Sequence, residues 1–299
     1  MGLRVLVTGW FSFEDMGASA GDLMARDVVC AWLGEAGIDY DIALAHPFEG
    51  GVAWEDVDPD AYSHVSFICG PFGEGPPLLE FLDRFSGRPM VGIDLTMLQS
   101  LDEWNPFEVL YERDSSRTAR PDLAFLAPDH RVQVVARILI DHQPEYGSRD
   151  WHEDANRLID DVLQARDAVV IPVDTRLDEN KTGMRSVAQV ESAIARVDAS
   201  MTTRLHGMVL SIKNGVPPVV VDPVKGGGKI KRQADTIGWP IVFTHETATV
   251  EALTEALDYC LTDEARAAAR ACRERARATL EPMQQSLLSD LDRTAAPTE

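Results

Sequence analysis

Arg204 and His206 lie at a point where a strand-like segment changes into a helix-like one. The short strand Ala199–Thr202 ends just before them, and a helical pattern begins at Leu205. A guanidinium pairs with two oxygens of a carboxylate or phosphate, and a neighbouring histidine can move a proton near neutral pH. The N-terminus of the helix adds unpaired N–H groups that favour an anion. The segment predicts an anion-binding site with an acid–base residue.

A second group of cations follows in a glycine-rich loop. The chain has five lysines, and three of them lie between positions 225 and 231. Lys225 follows the next predicted strand, Pro218–Val221, and should therefore lie at the same sheet edge as Arg204. K-G-G-G-K alone is a weak signal, because it lacks the P-loop spacing and no Ser or Thr follows Lys229. Arg204 and His206 alone would more often cap a helix and hold a surface carboxylate, but with Lys225 they favour an anionic substrate.

Composition limits the partners of the chain. It has 299 residues, 49 of them acidic and 28 basic, so its net charge is -21. A field of that sign repels nucleic acid and anionic membranes. The apolar run at the N-terminus is too short for a signal peptide or a membrane span. The four cysteines have neither C-x-x-C nor zinc-ligand spacing, which predicts buried thiols in a reducing cytoplasm. They are Cys30, Cys69, Cys260 and Cys272. Nothing indicates the oligomeric state.

Short β-branched runs alternate with amphipathic helical patterns along the chain. This alternation is typical of parallel sheets with crossover helices. We predict an α/β fold of two Rossmann-like domains, 1–127 and 128–299, facing a central cleft with ligands at the carboxyl ends of the strands. Pro282 is predicted to open a last helix. His142 and His152 lack metal-ligand spacing and are interpreted as surface residues.

Two segments of the first half could also contact a ligand. The first strand leads into a helix through Gly9, Gly17 and Gly21, followed by Asp22. This turn does not fit G-x-G-x-x-G, so NAD is not expected, and a ligand-facing loop and a plain connecting loop are equally compatible with it. Arg113 follows a later strand-like run, and by itself would be interpreted as a surface ion pair.

Taken in order, these segments resemble the polysaccharide pyruvyl transferase family. The resemblance extends over roughly residues 4 to 245, and the C-terminal R-L-H-G…G-V-P…K part is its most specific portion. The matching residues are Gly9, Trp10, Phe11, Gly21 and Asp22; then Arg113, Asp114, Ser116, Pro121, Asp122, Ala124 and Phe125; then Arg204, Leu205, His206, Gly207, Gly215, Val216, Pro217 and Lys225.

The resemblance implies a transferase that moves the enolpyruvyl group of phosphoenolpyruvate onto two hydroxyls of a sugar or glycan-like acceptor. The product is a pyruvate ketal, and phosphate is released. The resemblance implies that His206 is catalytic and that Arg204, Leu205, Lys225 and Arg113 bind the donor in a C-terminal donor domain. Acceptor binding is assigned to the N-terminal domain, through Gly9, Gly21 and Asp22. No metal and no cofactor are expected, and the implied architecture is that of the GT-B glycosyltransferases.

Two other functions fit the same residues. One is a GT-B glycosyltransferase whose basic site holds a nucleotide sugar, in which case a ribose-binding carboxylate is expected after the glycine loop, near Glu246. The other is a non-catalytic sensor or scaffold that keeps the anion site. The fold does not separate the three, because one fold hosts many functions.

Overall fold

A computed structural model describes residues 2–115, 117–141 and 143–295 of the chain. Ser116 and His142, both named above, lie outside the described residues. The chain forms two compact units, of which the first ends at His130 and the second begins at Arg131. The change of unit falls three residues after the boundary expected from the sequence.

The first unit is built on a parallel sheet with the order β2-β1-β3-β4-β5. Phe67 and Phe72 of β3 form an aromatic core on one side of the sheet with Phe81 of α2 and with Phe85, which follows that helix. On the other side, α1 packs Ala25 and Val29 against β1 and β3. The elements are β1 (Arg4–Gly9), α1 (Ala20–Glu35), β2 (Asp39–Ile42), β3 (His64–Phe72), α2 (Leu78–Arg84), β4 (Met90–Met97) and β5 (Val109–Glu112).

The second unit has a parallel sheet with the order β10-β9-β8-β6-β7. Its strands are short and mostly apolar, and every residue of β8 and β9 is buried, as expected for inner strands covered on both faces. Val219, Val220 and Val221 are completely buried between the helical layers. The elements are β6 (Gln133–Ile138), α3 (His152–Gln164), β7 (Ala168–Pro172), α4 (Val187–Ile194), β8 (Ala199–Thr202), α5 (Leu205–Lys213), β9 (Pro218–Val221), α6 (Lys229–Ile237), β10 (Val242–Phe243), α7 (Val250–Cys260) and α8 (Asp263–Ala295).

The predicted α/β class is confirmed, because each unit is a five-stranded parallel sheet with helical crossovers. All four cysteines are buried and free, as predicted. No helix in the described part of the chain combines the length and apolar character that a bilayer span needs. The expectation that Pro282 opens the last helix is wrong. α8 begins at Asp263 and runs through Pro282, because an alanine-rich stretch with acidic residues in the first turn starts the helix much earlier.

Gly207 fixes how closely α5 approaches the sheet. A Cβ at this position would lie 2.2 Å from Thr202 Oγ1 and 2.9 Å from Ile138 Cγ2. Thr202 cannot turn away freely, because its Oγ1 donates to the Ile138 carbonyl and accepts from the Arg204 N–H. We expect Gly207→Ala to lower the free energy of unfolding by about 3 kcal/mol, in the upper range for overpacking.

Denaturant unfolding measures this change. The matched control is Gly34→Ala, near the end of α1, where an added Cβ meets nothing within 4 Å. That substitution should leave stability unchanged or raise it by up to about 1 kcal/mol. Equal midpoints for the two variants would contradict a steric role for Gly207.

Candidate active site

The carboxyl ends of the strands of the second unit lie at one edge of its sheet, and several predicted site residues meet there. Arg204, Leu205 and His206 follow β8 and line a pocket of about 380 Å3. Thr175 and Arg176, which follow β7, lie in the same pocket, together with Ile140, Asp141, Gln143 and Lys229. The strand order places β6 between β7 and β8, so loops from three neighbouring strands and from the start of α6 surround one space.

Arg204 is the N-cap of α5 and is only 8% exposed. Its Nη1 donates to Asp174 Oδ1 over 2.6 Å and to Thr175 Oγ1 over 3.1 Å. Burial of Asp174 would raise the pKa of its carboxyl. The backbone N–H groups of Arg176 and Lys181 and the charge of Arg204 outweigh that effect, and the pKa lies below its usual value. Asp174 is therefore ionised and holds the guanidinium at the pocket wall.

His206 lies in the first turn of α5, and its side chain is exposed. Its ring has no hydrogen-bond or ion-pair partner among the residues that the structure describes. Buried histidines that serve a structural role are usually hydrogen-bonded on at least one ring nitrogen. An accessible ring beside Arg204, at the positive end of a helix, is placed to reach a bound anion.

Lys229, not Lys225, joins Arg204 and His206 in the pocket. Lys225 is exposed in the turn before α6, where its backbone N–H donates to the Arg149 carbonyl. Lys229 is the first residue of α6. The cations around the pocket are therefore Arg176, Arg204 and Lys229. A donor-binding role for Lys225 stays a prediction.

Asp222 occupies the place that an anion could take in the glycine-rich loop. This carboxylate is fully buried and accepts hydrogen bonds from the backbone N–H groups of Val224, Gly228 and Lys231. The N-terminus of α6 thus already holds a negative charge from the chain itself. The N-terminus of α5 has no such side-chain cap. An anion at this edge is expected at α5 and not in the loop.

Glu246 does not have the position of a ribose-binding carboxylate. Its carboxylate accepts from Thr244 Oγ1 over 2.5 Å and pairs with His245 Nδ1 over 2.8 Å. It is exposed, and none of the described pockets includes it among its lining residues. The feature that would have favoured a nucleotide sugar is thus not found at the expected residue.

His152 is buried, which corrects its interpretation as a surface residue. It is 1% exposed at the start of α3, and its Nδ1 hydrogen-bonds to Asp150. Its Nε2 has no hydrogen-bond partner among the residues that the structure describes. The residue opens a helix and follows an aspartate and a tryptophan, a local pattern that looks like a solvent-exposed helix start. Its burial follows from the packing of this turn against the loop after β9, where Trp151 N–H donates to the Pro223 carbonyl.

The first unit has a separate pocket of about 630 Å3 at the carboxyl edge of its own sheet. Gly21, Asp22 and Arg113 line it, so three of the predicted site residues are brought together here. Trp10, Cys69, Glu74 and Asp122 are among its other lining residues. Gly9 is not among them. A Cβ added at Gly9 would lie 2.7 Å from the Ile68 carbonyl oxygen, so close packing of the strands accounts for a glycine at this position.

Arg113 and Asp22 are both held in place by neighbours. Arg113 Nη1 pairs with Asp122 Oδ2 over 2.8 Å, and its Nη2 donates to Thr96 Oγ1 over 2.9 Å. Asp22 accepts from the N–H and the hydroxyl of Ser19 and so closes the first turn of α1. Arg113 lies in the first unit and Arg204 in the second, so neither unit contains both predicted donor-binding arginines.

Two buried residues have left-handed backbones: Cys69, which lines this pocket, and Asp94, on the neighbouring strand. Cys69 has φ +65° and Asp94 has φ +61°, and they lie opposite each other on β3 and β4. Such a conformation costs about 1–3 kcal/mol in a non-glycine residue and is concentrated at functional sites. Burial raises the pKa of the Cys69 thiol to about 12, and burial is also the main reason that the pKa of Asp94 is raised. Asp94 follows the apolar run M-V-G-I and lies inside β4 (Met90–Met97), so its position in the sequence does not mark it as a site residue.

Cys69, Asp94 and Asp122 place one ligand atom each within 4.8 Å of the others, as a metal site would. Arg113 already fills this space, because its Nη1 bonds to both Cys69 Sγ and Asp122 Oδ2. The cationic guanidinium and the protonated thiol make the group a poor fit for a metal ion. The sequence had not indicated this cluster.

The order and spacing of these residues agree with a known family. Residues 79–223 match the family model of polysaccharide pyruvyl transferase. The predicted resemblance is confirmed, and the chain is a transferase. The match extends from α2 to just after β9, so it includes Arg113 and the segment Arg204–His206. Gly9, Gly21, Asp22 and Lys225 lie outside it. No curated protein matches the sequence.

Several solved structures can be aligned over most of the chain. The calicheamicin glycosyltransferase CalG4 has 10% identity and a TM-score of 0.37, with 99% of this chain and 100% of that chain covered. The spinosyn rhamnosyltransferase SpnG, complexed with thymidine diphosphate, has 11% identity and a TM-score of 0.36, covering 95% and 100%. The UDP-GlcNAc 2-epimerase of Methanocaldococcus jannaschii has 10% identity and a TM-score of 0.32, covering 94% and 100%. At these scores we assign no function from them.

Proposed function

We propose that the chain transfers the enolpyruvyl group of phosphoenolpyruvate to hydroxyls of a sugar or glycan-like acceptor, forming a pyruvate ketal and releasing phosphate. The observation that supports this most is the pocket of the second unit, where Arg204 and His206 adjoin the N-terminus of α5 and lie within the family match. An accessible acid–base residue beside a fixed guanidinium suits a donor that is anionic and that is activated by protonation.

Phosphoenolpyruvate has a carboxylate and a phosphate, and the pocket can hold both. Arg204 uses Nη1 for Asp174 and Thr175, while its Nε and Nη2 bond to none of the described residues. These two N–H groups form the side of the fork that can face an anion. Lys229 and the free N–H groups of α5 provide further positive charge, whereas the charge of Arg176 is offset by its pairs with Asp178 and Glu179. The two anionic groups of the donor would thus have separate cationic partners.

His206 is assigned the proton transfers. In the first step its imidazolium protonates the methylene carbon of the enol, and the electron pair of the double bond forms the new C–H bond. The adjacent carbon becomes oxocarbenium-like, and an acceptor hydroxyl attacks it and gives its proton to His206, which is now neutral. In the second step the C–O bond to phosphate breaks and the phosphate leaves with the bonding electron pair. Another hydroxyl of the acceptor bonds to the same carbon and gives its proton to the departing phosphate. The cations around the pocket stabilise the departing phosphate.

The pocket of the first unit is proposed to hold the acceptor. Trp10 offers an aromatic face, and Asp22, Glu74 and Asp122 offer carboxylates that accept from hydroxyls. The charge of Arg113 is offset by Asp122, so the pocket is net acidic. A neutral or amino sugar therefore fits it better than an anionic one. The donor-binding role that the sequence gives to Arg113 stays a prediction.

Calorimetric titration with phosphoenolpyruvate tests the proposed donor, with uridine diphosphate as the control ligand. We expect saturable binding of phosphoenolpyruvate and none of the nucleotide, because Asp222 already fills the amide groups of the glycine loop. Binding of the nucleotide alone would replace the proposal with a glycosyltransferase. Binding of neither ligand, with or without a panel of neutral sugars, would favour a sensor or scaffold.

A further inference from the structure

The second half of α8 has an apolar face that no described residue covers. Every described side chain from Arg277 to Thr294 is exposed. Within this stretch, Leu280, Met283, Leu287 and Leu291 recur at helical spacing, and each is at least 55% exposed. We call these four residues the α8 stripe. A helical extension of this length is marginal in water unless an apolar face packs against something.

The α8 stripe continues the face that the same helix packs against the core. Ala265, Ala269 and Cys272 lie on that face in the first turns, at most 1% exposed, and Ala276 follows them at the edge of the core. The spacing of three and four residues then continues through Leu280, Met283, Leu287 and Leu291. The stripe is therefore an exposed continuation of the buried face of α8, and it forms one contiguous apolar surface instead of isolated surface leucines.

An apolar groove adjoins the first turn of the stripe. It has a volume of about 300 Å3 and lies between α5, α6 and α8. Its walls include Val209, Ile212, Ile237 and Leu280. Leu280 lies at the groove, whereas Leu287 and Leu291 lie about two to three helical turns further along α8. The stripe has apolar side chains without a cover, and the groove is an apolar cavity that such side chains could fill. A continuous helix cannot bend back to place its own leucines in this groove.

A second copy of the chain meets this requirement. We propose that two copies associate through α8 in an antiparallel, two-fold symmetric pair centred between Met283 and Gln284. Two-fold symmetry places Leu287 of the second copy level with Leu280, and Leu291 of the second copy level with Ala276. The stripe of each copy then enters the groove of the other, which is the self-complementary arrangement of an isologous dimer.

The charges along α8 favour the antiparallel direction. The rim of the groove carries Lys213, Arg273 and Arg277, and the end of the stripe carries Asp290 and Asp292. Lys213, Arg273 and Asp290 already pair within the chain, with Glu191, Glu274 and Arg293 respectively. Arg277 and Asp292 have no ion-pair partner among the described residues. In the antiparallel pair the acidic end of each helix lies over the basic rim of the other. A parallel pair would place like charges together.

Size-exclusion chromatography with light scattering tests the proposal on the full chain. We expect a mass twice the 32.9 kDa of one copy. Leu287→Asp should raise the dimer dissociation constant by about 100-fold, because it places a charge in the centre of the interface. The matched control is Leu288→Asp, which is one residue further, equally exposed and turned about 100° away from the stripe. That variant should remain a dimer.

Several results would overturn the proposal. They are a wild-type mass of one copy at every concentration, a dimer that survives Leu287→Asp, or equal loss of the dimer in both leucine variants. A monomer that Leu287→Asp destabilises would show instead that the stripe packs within one chain. If Leu287→Asp fails to fold, Arg277→Glu replaces it. This surface change should weaken the dimer by about tenfold at low salt, and an unchanged dissociation constant would also overturn the proposal.

Discussion

His206→Ala is expected to lower the rate of pyruvyl transfer by at least about 100-fold while leaving the affinity for phosphoenolpyruvate nearly unchanged. The ring is exposed in the pocket and has no partner among the described residues, so its removal disturbs no described interaction of the fold. Loss of a general acid–base group affects the transition state more than the bound donor. Single-turnover rates and calorimetric donor titration, measured on the same preparation, separate the two effects.

His245→Ala is the matched control for this experiment. His245 belongs to the same unit but pairs with Glu246, and it does not line the Arg204–His206 pocket. It should retain wild-type turnover. If His206→Ala also retained near-wild-type turnover, the acid–base assignment would be wrong. If it instead lost donor binding and turnover in equal measure, His206 would be a binding residue.

The second large effect is expected for Arg204→Ala. This variant should weaken phosphoenolpyruvate binding by about 100-fold, because the pocket loses the guanidinium that is fixed in its wall. It should also lower the free energy of unfolding by about 3 kcal/mol, because Asp174 is left ionised and buried without its counter-ion. Calorimetric titration measures the first change and denaturant unfolding the second.

Two variants distinguish binding from stability at this residue. Arg204→Lys keeps the charge near Asp174 but lacks the planar fork, so it should regain most of the stability and little of the donor affinity. Arg266→Ala breaks another 2.6 Å arginine–aspartate pair, with Asp198, which lies before β8 at the opposite edge of the same sheet. It should leave donor affinity unchanged. Wild-type affinity in Arg204→Ala would exclude Arg204 from the donor site.

Local patterns were sufficient to predict much of the second unit. The strands Ala199–Thr202 and Pro218–Val221 have the predicted bounds, and α5 begins at Leu205 as predicted, because the apolar pattern of this segment is clear. Arg204 and His206 could be assigned to one site for the same reason. Both residues lie between the end of β8 and the first turn of α5, so their proximity can be predicted from this short segment alone.

Residues that approach from other strands were not predicted. Asp174 and Thr175 follow β7 and accept hydrogen bonds from Arg204, which follows β8. They can do so because only β6 lies between β7 and β8, and no local sequence pattern predicts that strand order. That Lys229 lines the pocket instead of the expected Lys225 has a different cause. The buried Asp222 carboxylate draws the loop amides toward itself, and this turn leaves Lys225 outside the pocket. In the first unit, Asp94 was missed because a left-handed aspartate inside a strand has no sequence signal.

The paired left-handed backbones of Cys69 and Asp94 bear on how this protein would respond to laboratory evolution. Glycine adopts that conformation without steric cost, so replacement of either residue by glycine would remove strain from the folded state. A screen for thermal stability alone would therefore select glycine at these two positions. The selected variants would lose the Cys69 thiol and the Asp94 carboxylate at the first-unit pocket. They would also lose the hydrogen bonds of these groups to Arg113 and to the Leu123 N–H. Selection of durable variants should therefore be coupled to a ligand-dependent readout from the first round.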